Sequence, residues 1–180
     1  MKKIFLATLV ASALLSGCAT TNVADARTEV SSFDGSKRVS VSPHGAACIN
    51  SYMTCSTLGF TWTDKKPDEA SILVEVTEPV SGGDYHSIVT TKLNIDGDIV
   101  ALKPSLGDRN HFDYDSVFKK TSRLYNTPIS TLERVEASTN TKIQVVADGA
   151  VIEGDLKNSG ESTKAYYAML RFLEQVRAVK

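Results

Sequence analysis

TTKLNIDGDIVAL, residues 90–102, carries the clearest fold information in this chain. Asp96-Gly97 lies at its centre, and Asp-Gly readily supplies the two positive-φ residues of a type I′ hairpin turn. A two-residue turn there gives the cross-strand pairs Ile95–Asp98, Leu93–Val100 and Thr91–Leu102. Because side chains alternate along a strand, one face of this hairpin is largely apolar and the other mostly polar. The stretch therefore predicts two antiparallel strands with one buried face.

The same construction fits a second Asp-Gly pair, at residues 148–149. A two-residue turn there predicts the pairs Ala147–Ala150, Val145–Ile152, Ile143–Gly154, Gln144–Glu153 and Lys142–Asp155. The last pair joins a lysine to an aspartate and predicts a cross-strand ion pair. A third pair, Asp34-Gly35, also predicts a hairpin, although its flanking residues are more polar. Repeated hairpins favour an antiparallel sheet.

Two further runs have strand character. Residues 58–62 alternate strictly between apolar and polar side chains, and residues 71–77 are rich in β-branched ones. Residues 65–68 supply a turn between them. Residues 112–125 fit neither the strand nor the helix period and stay ambiguous.

Helices are predicted late in the chain. Thr127 as N-cap and Pro128 as first helical residue predict a short helix that ends near 138–140. After a cap at Ser162 or Thr163, one apolar face follows on the last segment: Ala165, Met169, Phe172, Leu173 and Val176. The predicted fold class is α+β, mainly an antiparallel β-sheet built from hairpins, with a short helix and a C-terminal amphipathic helix packed on it.

The first seventeen residues have the organisation of a secretory signal peptide. Lys2 and Lys3 precede an apolar run over residues 4–15. As a helix, about twelve residues rise only about 18 Å, whereas the hydrocarbon core of a bilayer is about 30 Å thick. The run is too short for a stable transmembrane helix, so we expect residues 1–17 to be a signal peptide.

Leu15-Ser16-Gly17-Cys18 closes this run and resembles the lipobox of bacterial lipoproteins. The resemblance implies cleavage behind Gly17, a thioether link from Cys18 to diacylglycerol, and N-acylation of the same cysteine, for instance with palmitate. In that family an Asp after the cysteine tends to retain the protein at the inner membrane. Ala19 stands there, which implies outer-membrane attachment facing the periplasm. Several acyl chains make such an anchor effectively permanent, at about 0.8 kcal/mol per buried CH₂.

The remaining chain divides into a tether and one domain. Residues 18–28 are small and polar and predict a lipidated N-terminus with a flexible tether, which as a coil of about ten residues spans about 17 Å on average. Residues 29–180 predict a single α+β domain. Without Lys2 and Lys3 the chain has 18 basic and 21 acidic residues. Because no basic cluster exceeds a pair, we expect no nucleic-acid partner, and the lipid anchor makes the membrane contact.

Two cysteines remain besides Cys18. Cys48 and Cys55 are close in sequence, and disulfides persist in the periplasm, so we expect them to pair. Such a bond contributes about 2.5 kcal/mol by the chain-entropy relation. A metal interpretation, with His44 in the pattern H-x3-C-x6-C, lacks a fourth ligand at a recognisable spacing.

No strong catalytic motif occurs in the sequence. In an extended conformation His111, Asp113 and Asp115 would project on one side, which could hold a divalent cation or position an acid and a base. The same letters also describe a solvated loop. His86 and Glu78 are expected to be an ordinary loop histidine and a solvated carboxylate.

These observations favour a non-enzymatic, lipid-anchored accessory module that binds a protein or envelope component and needs no cofactor. One alternative is an envelope hydrolase or metal-dependent enzyme that uses His111, Asp113 and Asp115. Another is a carrier of an apolar ligand held between sheet and helix. The candidate lining residues of such a carrier are Phe60, Trp62, Tyr166 and Phe172.

Overall fold

The computed structural model describes residues 25–49, 54–82, 85–114 and 117–180. Its strands are β1 (Arg27–Val30), β2 (Lys37–Ile49), β3 (Thr54–Thr63), β4 (Glu69–Pro79), β5 (Ile88–Ile95), β6 (Asp98–Ala101), β7 (Lys103–Pro104), β8 (His111–Tyr114), β9 (Phe118–Pro128), β10 (Thr141–Ala147) and β11 (Ala150–Lys157). Its helices are α1 (Ile129–Ala137) and α2 (Lys164–Val179), and a 3-10 turn covers Val80–Gly82. The α+β class with a mainly antiparallel sheet is confirmed. β1 begins at Arg27, so the last two residues of the predicted tether 18–28 belong to the large sheet.

The large sheet has the strand order β1-β2-β3-β4-β9-β7, and β8 also pairs with β9. One register row across it contains Cys48, Cys55, Thr77, Lys120 and Asp113. We call the end of the sheet at this row the disulfide end. The opposite end, where Lys37, Thr63 and Glu69 lie, is the turn end. β3 and β4 contain the two runs predicted as strands, and β4 alternates strictly between buried and partly exposed residues.

The small sheet has the order β11-β10-β5-β6 and contains both of the best predicted hairpins. The register of the hairpin at 96–97 agrees with the prediction, and Leu102 N donates to Thr91 O beyond its last strand pair. All five predicted pairs of the hairpin at 148–149 are present. Lys142 Nζ lies 2.9 Å from Asp155 Oδ1, which confirms the cross-strand ion pair.

The predicted turn type is correct at only one of the Asp-Gly pairs. Asp96 and Gly97 both have positive φ, 49° and 98°, as a type I′ turn requires. Gly149 has a φ of 78°, but Asp148 stays out of the positive region. The reason lies outside the hairpin: Asp148 N donates to Ser87 O, and the Asp148 carbonyl accepts from the His86 ring.

The hairpin at Asp34-Gly35 forms with a longer loop. β1 and β2 close with the pair Val30–Lys37, which leaves six residues, 31–36, in the loop. Ser36 N donates to the Asp34 carboxylate, which also contacts Lys65 Nζ. Hydrogen bonds from Lys65 and Ser36 hold the pKa of this carboxyl well below its usual range. These contacts favour the wider loop over a two-residue turn.

The two helices begin differently from each other. The prediction of Thr127 as N-cap is wrong, because Thr127 lies buried in β9, and α1 begins after Pro128 without a side-chain cap. Ile129 N donates instead to Asp68 O in the β3–β4 turn, at 2.9 Å. The predicted cap of α2 is confirmed, since Thr163 Oγ1 accepts from Tyr166 N. Of the ambiguous segment 112–125, residues 112–114 lie in β8 and residues 118–125 lie in β9.

Both sheets and both helices contribute to one core. α2 packs on β2 and β3 beside α1, and its C-terminus lies at the turn end, where Lys37 Nζ donates to Val179 O. The seven buried residues of α2 are Ala165, Tyr166, Ala168, Met169, Phe172, Leu173 and Val176. One small pocket among core side chains of both sheets and both helices has a volume of only ≈ 10 Å³. Tyr166, Met169 and Phe172 of α2 are therefore core residues, whereas Tyr167 is 36 % exposed.

The two sheets approach each other closely at Gly154. A Cβ added there would lie 2.8 Å from the Cβ of Ala47 and 3.4 Å from its Cα. The Ala47 methyl has no rotamer with which to move away. Glycine at this position of β11 is therefore required by the contact with β2.

We expect Gly154→Ala to lower the free energy of unfolding by about 1–3 kcal/mol, because the added methyl forces the two sheets apart. Gly45→Ala is the matched control, since a Cβ at Gly45 meets nothing within 4 Å. Alanine there is expected to be neutral or slightly stabilising. Urea unfolding of both variants measures the difference. Equal midpoints for the two would mean that the sheets are not in contact at Gly154.

Candidate functional site

The two remaining cysteines form a disulfide bond. Cys48 and Cys55 occupy opposite positions on β2 and β3, with their Cα atoms 4.0 Å apart. The sulfurs are bonded to each other and offer no thiolate, so the metal interpretation with His44 is wrong. His44 lies further along β2, opposite Leu58. Burial and the positive charges of Lys164 and Arg171 hold the pKa of His44 below its ordinary value.

The proposed acidic loop is only partly brought together. His111 and Asp113 lie two residues apart on β8, opposite Ser122 and Lys120 of β9. They therefore project on one side of the strand, as predicted. The third member, Asp115, lies outside the described residues.

The polar groups of this region have structural partners. His111 Nε2 lies 3.4 Å from Asp108 Oδ1, and the other oxygen of Asp108 accepts from Leu124 N of β9 at 2.8 Å. Asp113 Oδ1 accepts from Tyr114 N. Among the described residues, no group of three or more His, Cys, Asp or Glu side chains is arranged to hold a metal ion. The described arrangement supports bracing of the loop more than catalysis.

A second set of polar side chains, from the loop before β8 and from β9, binds the start of β5 in the small sheet. Asn110 donates to Ile88 O and accepts from Ile88 N, at 3.3 and 2.9 Å. Arg123 Nη1 donates to the carbonyl oxygens of Ile88 and Val89, at 2.8 and 3.0 Å. These bonds satisfy the backbone at the start of β5, where the chain crosses between the two sheets.

Glu78, which the sequence predicts to be solvated, lies in the interior of the structure. Glu78 is only 4 % exposed. It continues the alternation of β4 and so lies on the same inward face as Val74 and Val76. The prediction of a solvated carboxylate is therefore wrong. The period of β4, extended by one more step, would have found the burial.

His86 covers this buried carboxylate. Its Nε2 lies 3.1 Å from Glu78 Oε2, and its Nδ1 contacts the carbonyl oxygen of Asp148. A carbonyl only accepts, so Nδ1 carries a proton and donates to it. Because protein acceptors occupy both ring nitrogens, His86 fastens the segment 85–87 to the sheet instead of facing a substrate.

Next to this pair, apolar side chains are exposed at the disulfide end. We call this group the apolar rim, and its members are Val80, Tyr85, Phe112, Tyr114 and Val117. Four of them are 44–72 % exposed, with Tyr114 the most exposed. The rings of Tyr85 and Phe112 meet edge to face at 5.2 Å, and Val80 N donates to Val117 O. Lys119 Nζ lies 5.7 Å from the Tyr85 ring centre, within the range of a cation–π contact.

Two open grooves lie elsewhere on the described surface. One, of ≈ 580 Å³ at the turn end, includes Lys66, Asp68 and Lys103 in its lining. The other, of ≈ 380 Å³ on the outer face of the small sheet, includes Lys142 and Glu153. Both mix charges of opposite sign, and neither lining includes a histidine or cysteine. They offer polar contact surfaces and no evident reactive group.

No known protein family, curated protein or solved structure matches this chain. Within the described part of the chain, neither helix combines the length and the apolar character that a membrane crossing requires.

Proposed function

We propose that the protein is a lipid-anchored envelope lipoprotein, attached to the outer membrane through Cys18 and facing the periplasm. Its α+β domain then acts as a non-enzymatic binding or accessory module for a protein or an envelope component. In this proposal α2 is an amphipathic helix that closes the core. The lipobox-like Leu15-Ser16-Gly17-Cys18 supports the anchor. The attachment of the chain to the domain at Asp25 and Arg27 supports a position of the domain close to the membrane.

Asp25, seven residues after Cys18, contacts the domain. Asp25 Oδ1 accepts from Arg171 Nη1 of α2 at 2.7 Å, and β1 begins at Arg27. Thr28 Oγ1 accepts from Gln175 Nε2 of the same helix. The ion pair alone is weak because Asp25 is 92 % exposed, so strand pairing does most of the holding. Seven residues span at most about 25 Å, which keeps an acylated domain within about its own diameter of the bilayer.

The described interior lends less support to the two alternatives. An apolar-ligand carrier needs a cavity of hundreds of Å³, whereas the pocket described between the sheets and helices has only ≈ 10 Å³ and Phe60, Tyr166 and Phe172 are packed in the core. An enzyme that uses His111 and Asp113 would need them to act together. Asp108 pairs with His111 and Asp113 lies opposite Lys120, which fits a structural role better.

We expect Cys18→Ser to release the protein from the membrane fraction. The wild-type mature protein should weigh more than its polypeptide by the mass of the diacylglyceryl and acyl groups, because these groups provide the anchor. Intact-mass measurement and membrane fractionation test both points. Ala19→Ser is the matched control, since it keeps Cys18 and should stay in the membrane fraction.

A mature wild-type protein with the mass of its bare polypeptide would contradict the anchor. Unchanged fractionation of Cys18→Ser would do the same. For the binding role, a detergent extract of wild-type envelopes captured through a tag after Lys180 should repeatedly retain the same envelope component. Extracts that retain only chance contaminants would count against an accessory module.

A further inference from the structure

We propose that the apolar rim is a membrane-contacting surface that seats the disulfide end of the domain on a phospholipid bilayer. This inference rests on the lipid anchor of the proposed function and deepens it, because it names the face of the domain that meets the lipid. The bilayer is then both the attachment point and a docking surface.

The rim has the composition of a membrane interface. Tyrosine and phenylalanine side chains combine a large apolar surface with, in tyrosine, a polar tip that suits the headgroup level. Tyr114 is 72 % exposed and Phe112 52 % exposed, and they come from one edge strand, β8. Lys119, directly opposite Tyr114 on β9, can lay its aliphatic chain along the rings and keep its ammonium among the headgroups.

The rim members are neighbours and not scattered single residues. Tyr85 touches Phe112, and Val80 is bonded through its backbone to Val117. Single exposed apolar side chains are normal on a soluble domain, but a contiguous group marks an interaction surface. His86 and Glu78 fix the segment that carries Tyr85, so the rim is presented by a braced part of the fold.

The first residue of β1 faces the same end of the sheet. β1 is antiparallel to β2, with Arg27 opposite Ser40 and Val30 opposite Lys37. Residues that precede Arg27 therefore come from the side of higher numbers in β2, which leads to Cys48. Cys48 shares its register row with Asp113 of β8, next to Tyr114. The start of β1 and the rim thus point toward one end of the domain.

The available chain length allows the acylated Cys18 and the apolar rim to lie at the same bilayer surface. Arg27 lies opposite Ser40, eight residues before Cys48 on β2, so the start of β1 is about 26 Å from the disulfide end along the strand. The nine residues from Cys18 to Arg27 reach at most about 32 Å. A bilayer that touches the disulfide end can therefore hold the acylated cysteine beside the domain while the rim rests on it. The contact is apolar and requires no basic cluster.

The test uses the full lipidated mature chain in vesicles of phosphatidylethanolamine and phosphatidylglycerol that contain a lipid with brominated acyl chains. A polarity-sensitive fluorophore is attached to one new thiol, in Tyr114→Cys. The matched controls are Phe33→Cys at the turn end, where the native side chain is 99 % exposed, and Val151→Cys on the small sheet, where it is 50 % exposed. Acylated Cys18 and the Cys48–Cys55 disulfide do not react with the label.

We expect brominated lipid to quench the label at 114 severalfold more than the labels at 33 and 151, with a blue shift of its emission. Flotation with the vesicles is measured on the same samples. Equal quenching at the three sites in a chain that floats overturns the rim contact and leaves the anchor in place. A label at 114 that is shielded from aqueous iodide but not quenched by brominated lipid means that protein covers the rim, which also overturns it. A chain that does not float overturns the anchor and the rim contact together.

Discussion

Replacing Phe172 with alanine is expected to lower the free energy of unfolding by about 3–5 kcal/mol. Phe172 is fully buried, and its ring lies 5.7 Å from that of Phe60, so it joins α2 to β3. Its removal loses the transfer free energy of the ring and leaves a cavity at a position where the side chain is fully buried among packed neighbours. Such a loss is a large part of the roughly 5–15 kcal/mol that stabilises a typical domain.

Phe33→Ala is the matched control, because it removes the same atoms from a loop position that is 99 % exposed. Surface changes of this kind usually stay within about 0.5 kcal/mol. Urea unfolding of the two variants, with the slopes compared as well as the midpoints, separates burial from side-chain type. A Phe172→Ala protein as stable as Phe33→Ala would mean that α2 does not close the core.

The register of the hairpins could be predicted because all of its determinants are local. Between residues 90 and 102 the turn residues and the alternation of the strands select the same pairing, and tertiary contacts only reinforce it. The cap at Thr163 is likewise a local signal. The cysteine pairing followed from an even count at close spacing. These features need no knowledge of which distant segments meet.

The predictions that failed depend on segments that are distant in sequence. Asp148 leaves the type I′ geometry because Ser87 and His86 take its backbone groups. Thr127 does not cap α1 because β9 continues through it, and Asp68 from the β3–β4 turn accepts from the first helical N–H. A single sequence read locally contains no trace of these partners.

The candidate site divides in the same way. His111 and Asp113 were placed on one side of a strand by the two-residue period, but their partner Asp108 was not identified. The apolar rim combines residues from three separate segments: the 3-10 turn after β4, the loop before β5, and β8 with the residue that precedes β9. Only the fold brings them together, so no motif in the sequence could predict this surface.

Replacing His86 with alanine is expected to lower the free energy of unfolding by about 3 kcal/mol, because it leaves the carboxylate of Glu78 buried without its partner. Glu78 has 5 % of its side chain exposed, and the His86 ring covers it and binds Asp148 O. His111→Ala is the matched control. Its ring is 72 % exposed and lies 3.4 Å from Asp108, so its loss should cost well under about 1 kcal/mol. Urea unfolding at neutral pH compares the two variants.

The double variant shows whether the buried charge is the cause. Glu78→Gln keeps the shape and removes the charge, so His86→Ala should cost much less in a Glu78→Gln background than in the wild type. The difference between the two costs is the coupling between ring and carboxylate. A cost for His86→Ala that is the same in both backgrounds would mean that the ring stabilises the fold through Asp148 and packing alone. A smaller cost in the Glu78→Gln background would mean that His86 stabilises the fold mainly through its contact with the buried Glu78 carboxylate.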